Sequence, residues 1–443
     1  MWKTAYLALL LHLLIWLNAA KAQADSSVVA VSPLAVTGHT EKTNPFVMEK
    51  SFEGSVVCAQ DDSRYTAAGF NWPWQNVLTV ATASSEFVRS VSTPRYNFVF
   101  NTRWMSRDYV FFQYGTNDAS FALYSVALWN TKSAQAQPLL SGLNWKIVQP
   151  SPSGRYLSFI RGGQPIPGEG GATPASLCTL DLQTKGEKRW GEAEPLFGSV
   201  AWASDDTLLF SMAPSEAEQK AMRPADVKTK PLEWKPTIYA ASLSTGQMRP
   251  LIQGAQRPAP SPDRKWLLSL SYCDPSPVKD EAPAVKADPT LPQAKAGSTL
   301  FLVLSRADGS EPHLVRREER GAPNIVWFPD SSGFALCDTR FAGGSEGKSA
   351  ISVAISRYEL VTATLARVGS FRYIAPVGTD MSEDERLWRP IAVTRDNRYL
   401  MSELTQFEAP PNNGLMLQRF DLQTGTTETV AHIGSVRGLD WRE

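Results

Sequence analysis

"PSPDRKWLLSL", residues 260–270, sets a Pro-Asp turn against an unbroken apolar run. Relatives of it recur along the chain. They are "WMSRDYVFFQY" from Trp104, "PSPSGRYLSF" from Pro150, "WASDDTLLFS" from Trp202, "WFPDSSGFALC" from Trp327 and "VTRDNRYLMSE" from Val393. Each places a polar turn shortly after a Trp, Pro or Val and follows it with apolar residues. Pro presets φ for a turn, Asp or Ser bonds to the backbone ahead, and Gly or Asn tolerates positive φ. The unit predicted is a hairpin: one strand in, a tight turn, one strand out.

A second hairpin follows each first one. Its copies include "LCTLDLQTKGEKRW" (177–190), "IYAASLSTGQMRPLI" (238–252) and "LMLQRFDLQTGTTETV" (415–430), and "LDLQT" and "FDLQT" are near duplicates. Each repeat therefore holds four antiparallel strands. The anchors lie 46 to 67 residues apart, close to the spacing of about 40–50 residues in propeller blades, plus insertions. The expected fold is all-β: a β-propeller of four-stranded antiparallel blades.

The apolar runs agree with this. "RKWLLSL" lacks the in-out alternation of a half-exposed strand, and a near-continuous apolar run marks burial on both faces. Trp104, Trp202, Trp327 and Trp441 share one repeat position, at the end of the first strand, where a Trp fills the space between neighbouring blades. Trp441 starts a further copy, "VRGLDWRE", with a first strand only. Three strands near the other end, "GSVVCAQ" (54–60), "QNVLTVAT" (75–82) and "EFVRSVS" (86–92), can complete it. A ring closed by its own two ends leaves no free sheet edge. The expected count is seven blades, with six if residues 54–92 do not complete a sheet.

The "SPSGRYLSF" and "SPDRKWLLSL" runs, each followed by an "LDLQTKGEKRW"-like hairpin, resemble the propeller repeats of the TolB family over residues 95–443. Related repeats form the propeller domain of prolyl oligopeptidases. The resemblance implies a propeller and a cell-envelope setting. The residues ahead of Tyr96 read as β-rich and too short for the α/β domain that precedes the TolB propeller, and no α/β-hydrolase segment is apparent. Some propellers of this repeat class resemble oligosaccharide lyases with a His-lined metal site, which makes a polysaccharide-processing or metal-dependent enzyme the alternative reading.

Residues 1–22 read as a secretory signal peptide: Lys3, an apolar run from Ala5 to Leu17, and small residues at Ala20-Lys21-Ala22 or Ala22-Gln23-Ala24. The run is shorter than the ~20 residues that span a bilayer, so no transmembrane segment is expected after cleavage, and the predicted location is secreted or periplasmic. Residues 23–52 form a lead, and 53–443 the propeller. Lys plus Arg and Asp plus Glu both total 44, giving zero net charge. That excludes the basic excess of a nucleic-acid binder. Export permits disulfides, but Cys58, Cys178, Cys273 and Cys337 allow three full pairings, and burial as small apolar side chains is equally open.

Length varies in one place, the connection between second and third strands. Residues 161–176, 213–236 and 273–299 are long, while 338–349 and 405–414 are shorter. In an up-and-down blade these all emerge on one side. Loops on a rigid scaffold are where binding concentrates. The expected role is a non-catalytic scaffold that binds a protein or a glycan through this face. Its candidate contacts are Trp234, Lys230, Phe407 and the Arg161–Gly162 step. Two further motifs are set aside. "AGGSEGKS" (342–349) fits a relaxed phosphate loop and contains G-x-S-x-G, but both mechanisms need a helix next, and "AISVAISRYEL" reads as a strand. His39, His313 and His432 are too dispersed for a metal site. No catalytic residue, metal ligand or cofactor is assigned.

Overall fold

The computed structural model describes residues 46–48, 55–62, 75–82, 87–92, 97–106, 108–116, 123–132, 135–162, 175–191, 196, 199–213, 236–272, 300–318, 323–343, 349–375, 388–406, 414–433 and 436–442. Every regular element among them is a strand. The chain begins with β1 (Phe46–Met48), β2 (Ser55–Asp62), β3 (Gln75–Thr82) and β4 (Phe87–Ser92). Next come β5 (Asn97–Trp104), β6 (Tyr109–Thr116), β7 (Leu123–Asn130), the long β8 (Gln135–Pro150), β9 (Tyr156–Arg161), β10 (Ser176–Asp181) and β11 (Glu187–Trp190). Three groups of four follow. The first is β12 (Val200–Trp202), β13 (Thr207–Met212), β14 (Thr237–Ser242) and β15 (Met248–Gln253). The second is β16 (Ala255–Pro260), β17 (Trp266–Ser271), β18 (Leu300–Arg306) and β19 (His313–Glu318). The third is β20 (Asn324–Trp327), β21 (Gly333–Gly343), β22 (Ser349–Glu359) and β23 (Thr364–Ala375). The chain ends with β24 (Trp388–Val393), β25 (Tyr399–Gln406), β26 (Gly414–Asp421), β27 (Thr427–Ile433) and β28 (Val436–Arg442).

The turn chemistry read from the sequence is what forms the first hairpins. Ser261 N–H donates to the Trp266 carbonyl at 2.9 Å, and Ser261 Oγ accepts the Trp266 N–H at 3.0 Å. Ser151 and Thr394 repeat the side-chain bond, to the N–H groups of Tyr156 (3.1 Å) and Tyr399 (3.0 Å). The fourth turn residue takes positive φ whatever its type: Gly154, Arg264, Ser331 and Asn397. Only at Gly154 does space also demand glycine, because an added Cβ would lie 2.9 Å from the Met105 carbonyl oxygen. The duplicated "DLQT" runs share one mechanism too. Asp181 Oδ1 accepts from Gln183 N–H at 2.8 Å, as Asp421 Oδ1 does from Gln423 N–H at 2.8 Å. Arg155 and Arg398, from the preceding turn, then pair with those same aspartates at 2.9 and 3.1 Å.

The strands gather into six antiparallel sheets around a ring. Buried side chains join neighbouring sheets face to face. Leu177, Ile160 and Trp190 pack on Val200, Leu208 and Phe210. Leu268, Leu270 and Leu302 pack on Phe334, Leu336 and Tyr358. Val353 and Ile355 pack on Trp388, Leu400 and Phe420. Each large side chain so buried contributes about 1.5–3 kcal/mol. The middle strands carry the double burial expected of them: the pattern in both β9 and β13 is four buried residues between two half-buried ones.

Closure occurs as anticipated. β28 pairs with β2, with Ser55 opposite Arg442 and Val57 opposite Asp440, and the sheet runs β28-β2-β3-β4. β28 also lies against β5 on one side and β24 on the other, which seals the ring. Two of the shared tryptophans are tethers between repeats. Trp202 Nε1 donates to the Gln149 carbonyl at 3.1 Å and its ring stacks on Tyr156, while Trp327 Nε1 donates to Ala259 at 2.9 Å.

The expected count of seven blades is corrected to six. The repeats that start from Trp104 and from Pro150 are fused into one seven-stranded sheet, β11-β10-β9-β8-β7-β6-β5. The cause is β8, 16 residues long, whose first half pairs with β7 and whose second half pairs with β9. Leu143 is the hinge point, opposite Tyr124 on one side and Arg161 on the other. The fused sheet folds back there, so that Met105, Phe111 and Val126 pack on Leu157, Phe159 and Cys178. A second feature lies in the lead: β1 adds to the outer edge of β27, with Phe46 opposite Ile433 and Met48 opposite Ala431. That covers an edge that would otherwise present unpaired backbone groups.

Candidate binding face

Strand order places the two kinds of connection on opposite sides of the ring. First strands end, second begin, third end and fourth begin at the short turns; residues 151–155, 182–186, 261–265, 394–398 and 422–426 all lie there. The connections after β9, β13, β17, β21 and β25 leave from the other side, as do the links from each fourth strand to the next first strand.

The short-turn side is a hydrogen-bonded belt. Ser153 N–H donates to Asp205 at 2.9 Å, Asp263 N–H to Ser331 Oγ at 2.9 Å, and Asn397 Nδ2 to Asp330 at 2.6 Å, each across a boundary between repeats. The carboxylates are held charged. The hydrogen bond from Arg155 lowers the Asp181 pKa, and at Asp421 the cost of burial is outweighed by the N–H groups of Gln423 and Thr424 and by Arg398.

The long-loop side is different in kind. At its border, Arg316 in β19 bridges two sheets. Its guanidinium bonds Glu318 at 2.9 Å and Asp338 in β21 at 2.7 Å, and the three side chains are mostly buried. Burial works against the Arg316 charge, but the bonds to Asp338 and Glu318 prevail and raise its pKa. Arg389 in β24 pairs with Glu403 in β25 at 2.7 Å. Gln256 Nε2 donates to the Tyr272 hydroxyl at 3.0 Å.

The candidates read from the sequence divide unevenly. Arg161 ends β9 and is already engaged: Nε donates to Glu187 at 2.6 Å, and the guanidinium lies 5.4 Å from the Phe159 ring centroid. Gly162 follows with φ +85° as the chain leaves the strand. Trp234, Lys230 and Phe407 fall outside the described residues. Among these candidates only Arg161 and Gly162 lie within the described residues.

The other motifs settle simply. Residues 342–343 close β21 and Ser349 opens β22, so strands flank the segment that matched a phosphate loop and a nucleophile elbow. Cys178 and Cys337 are free, buried thiols, in accord with packing; burial pushes Cys178 up to about 11 and Cys337 higher still. Cys58 lies in β2, and Cys273 falls outside the described residues. His313 opens β19 at the short-turn side and His432 sits in β27. No group of three or more His, Cys, Asp or Glu able to hold a metal occurs among the described residues. No helix among them is long and apolar enough to cross a membrane.

Sequence reasoning missed Arg257. It sits in the first strand β16 with φ +53°, where the pairing to β17 slips between Gln256 and Ala259. A left-handed arginine costs about 1–2 kcal/mol. The signal was available, since "AQRPAP" has two prolines in a strand, which mark a bulge or an edge.

No protein-family model matches the chain, and no curated protein does. Among solved structures it is similar to an oligogalacturonate lyase in complex with manganese, at 14% identity over 86% of each chain and a TM-score of 0.46. It is similar to TolB from Acinetobacter baumannii, at 10% identity over 84% of this chain and 80% of that one, with a TM-score of 0.39. The acylaminoacyl peptidase of Pyrococcus horikoshii matches at 11% identity and a TM-score of 0.39, over 76% of this chain and 52% of the peptidase. These neighbours include enzymes beside TolB.

Proposed function

We propose that this chain is an exported interaction scaffold, secreted or periplasmic, that binds a protein or a glycan of the cell envelope or exterior without catalysing a reaction on it. The observation that supports it most is the sorting of connections. Three long links, 161–176, 213–236 and 273–299, leave one side of a rigid ring, while the other side carries hydrogen bonds between repeats. Loops can diversify on the first side at small entropic cost. The signal-like run at residues 1–22 supports export. Trp234 and Lys230 in the 213–236 loop, and Phe407 in the 405–414 loop, are the proposed contacts. Arg161 is a weaker one, since Glu187 already holds it.

The test is capture from an envelope extract, with the chain from residue 23 as bait. Shortening 213–236 and 273–299 to Gly-Ser bridges is expected to abolish capture and leave the melting temperature within a few degrees. Undiminished capture by the shortened chain contradicts the proposal.

A further inference from the structure

Two serines face each other in the seam between the sheet of β12–β15 and that of β16–β19. Ser199 directly precedes β12, and Ser211 lies in β13. The register that sets Val200 opposite Phe210 sets Ser199 opposite Ser211, and the Ser211 N–H donates to the Ser199 carbonyl at 3.0 Å. Cross-strand partners carry their side chains on one face, with Cβ atoms about 4.5–5.5 Å apart. A tight turn closes the corner. Ser199 N–H donates to the Leu196 carbonyl at 3.0 Å, and Leu196 N–H to the Ser211 carbonyl at 2.8 Å. The backbone of the pair is therefore satisfied, and the side chains are not. Both serines are fully buried, at 0% exposure, and neither Oγ has a hydrogen-bond partner in the protein. A buried hydroxyl left unpaired costs free energy.

The repeats show that a hydroxyl here is a departure. Trp202 pairs with Leu208, and its counterparts pair likewise: Pro150 with Leu157, Pro260 with Leu267 and Trp327 with Phe334. Three residues beyond those partners stand Ser211, Ile160, Leu270 and Cys337. Ile160, Leu270 and Cys337 are each buried in an apolar cluster against the next sheet. At Ser211 that apolar contact is missing, and the side chain is smaller than the Ile or Leu that fills the place elsewhere. The seam is thin as well. Leu209, on the same face as Ser211, packs with Ala240 and with Leu267 of the next sheet, and Ala203, Leu251 and Ile252 are only half-buried against them. β16 packs against both β12 and β13. Its ladder slips between Gln256 and Ala259, so Arg257 and Pro258 have no partner in β17, and their carbonyls stand outside the ladder as acceptors.

We propose that Ser199 and Ser211 hold one buried water molecule, which bridges their hydroxyls inside this seam. A water occupies ~30 Å³ and is stably buried with two to four polar partners. Each hydroxyl both donates and accepts, so a single water satisfies the two at once. An apolar gap of the same size would stay dry; the serine pair is what makes this one a site. The inference goes beyond the scaffold reading and does not depend on it.

A crystal structure that resolves ordered water tests the site. One water within about 2.5–3.0 Å of both Oγ atoms is expected. A direct bond between the two hydroxyls, or a seam with no water, overturns the proposal. Denaturant unfolding of Ser199→Ala and Ser211→Ala reads the same bridge. Each is expected to lower the unfolding midpoint, because the water and the remaining hydroxyl lose a partner. The double variant should lose less than the sum of the two, as residues in one network do. Dry, unpaired hydroxyls predict the opposite sign: removing either would raise the midpoint, and that result also overturns the proposal. If Ser211→Ala does not fold, Ser211→Cys, matching Cys337 at the equivalent place, replaces it with the same expected direction.

Discussion

The two sides of this ring are built from the same repeats and put them to opposite uses. On the short-turn side, chain length is nearly constant, and polar groups are spent on neighbours: Ser153 on Asp205, Asp263 on Ser331, Asn397 on Asp330. On the long-loop side, the links run from a few residues to 27, the span 273–299. Constant length accompanies contacts between repeats, because an inserted residue would shift a donor off its acceptor. Variable length is tolerated where the strands alone hold the ring. The contrast teaches that repetition in the sequence records the architecture, and departure from it records where the molecule is free to acquire a partner.

Removing residues 435–443 tests what both sides share, the closed wall. It deletes β28, strips β2 of one of its two partners and removes Trp441, which is 5% exposed. A loss on the order of 5 kcal/mol or more is expected from the apolar area alone, read by denaturant unfolding. A truncated chain as stable as the parent breaks the closure.

The next effect sets the sides against each other directly. Gly425 has φ +74°, and an added Cβ would lie 2.5 Å from the Val368 carbonyl oxygen of the adjacent sheet. Gly425→Val should cost about 3 kcal/mol through left-handed strain and overpacking. Cutting the 273–299 loop by half should change stability by only about 0.6 kcal/mol. Equal costs would erase the distinction between the two sides.

A smaller effect refines the belt. Trp202→Phe keeps most of the ring against Tyr156 but removes the donor to Gln149. About 1 kcal/mol should be lost, and a neutral result would reduce the tether to simple filling of space.

The fold was legible wherever its cause is local. Ser261 and Trp266 sit five residues apart, so the turn that joins them is written in "SPDRKW". The shared place of Trp202 and Trp327 likewise pointed to gaps between repeats, and the two tethers fill them. What escaped depends on residues far apart in the chain. The repeat pattern divides "QAQPLLSGLNWKIVQP" between the end of one repeat and the start of the next, yet Leu143 pairs on both sides and fuses the two. The three residues of β1 are too short to show a period, and their partner lies at 431–433. Arg161 reads as an open contact in the sequence, but Glu187 is 26 residues on and meets it only once β9 to β11 form. Arg257 was overlooked because a slip in register leaves no periodic mark.

Hydrogen exchange along the intact chain tests the sealed ring most directly. Amides of β28 should exchange as slowly as those of β2, and added denaturant should release the two together, as one cooperative unit. Rapid exchange at 436–442 while 55–62 stay protected would mean that the ends do not hold each other.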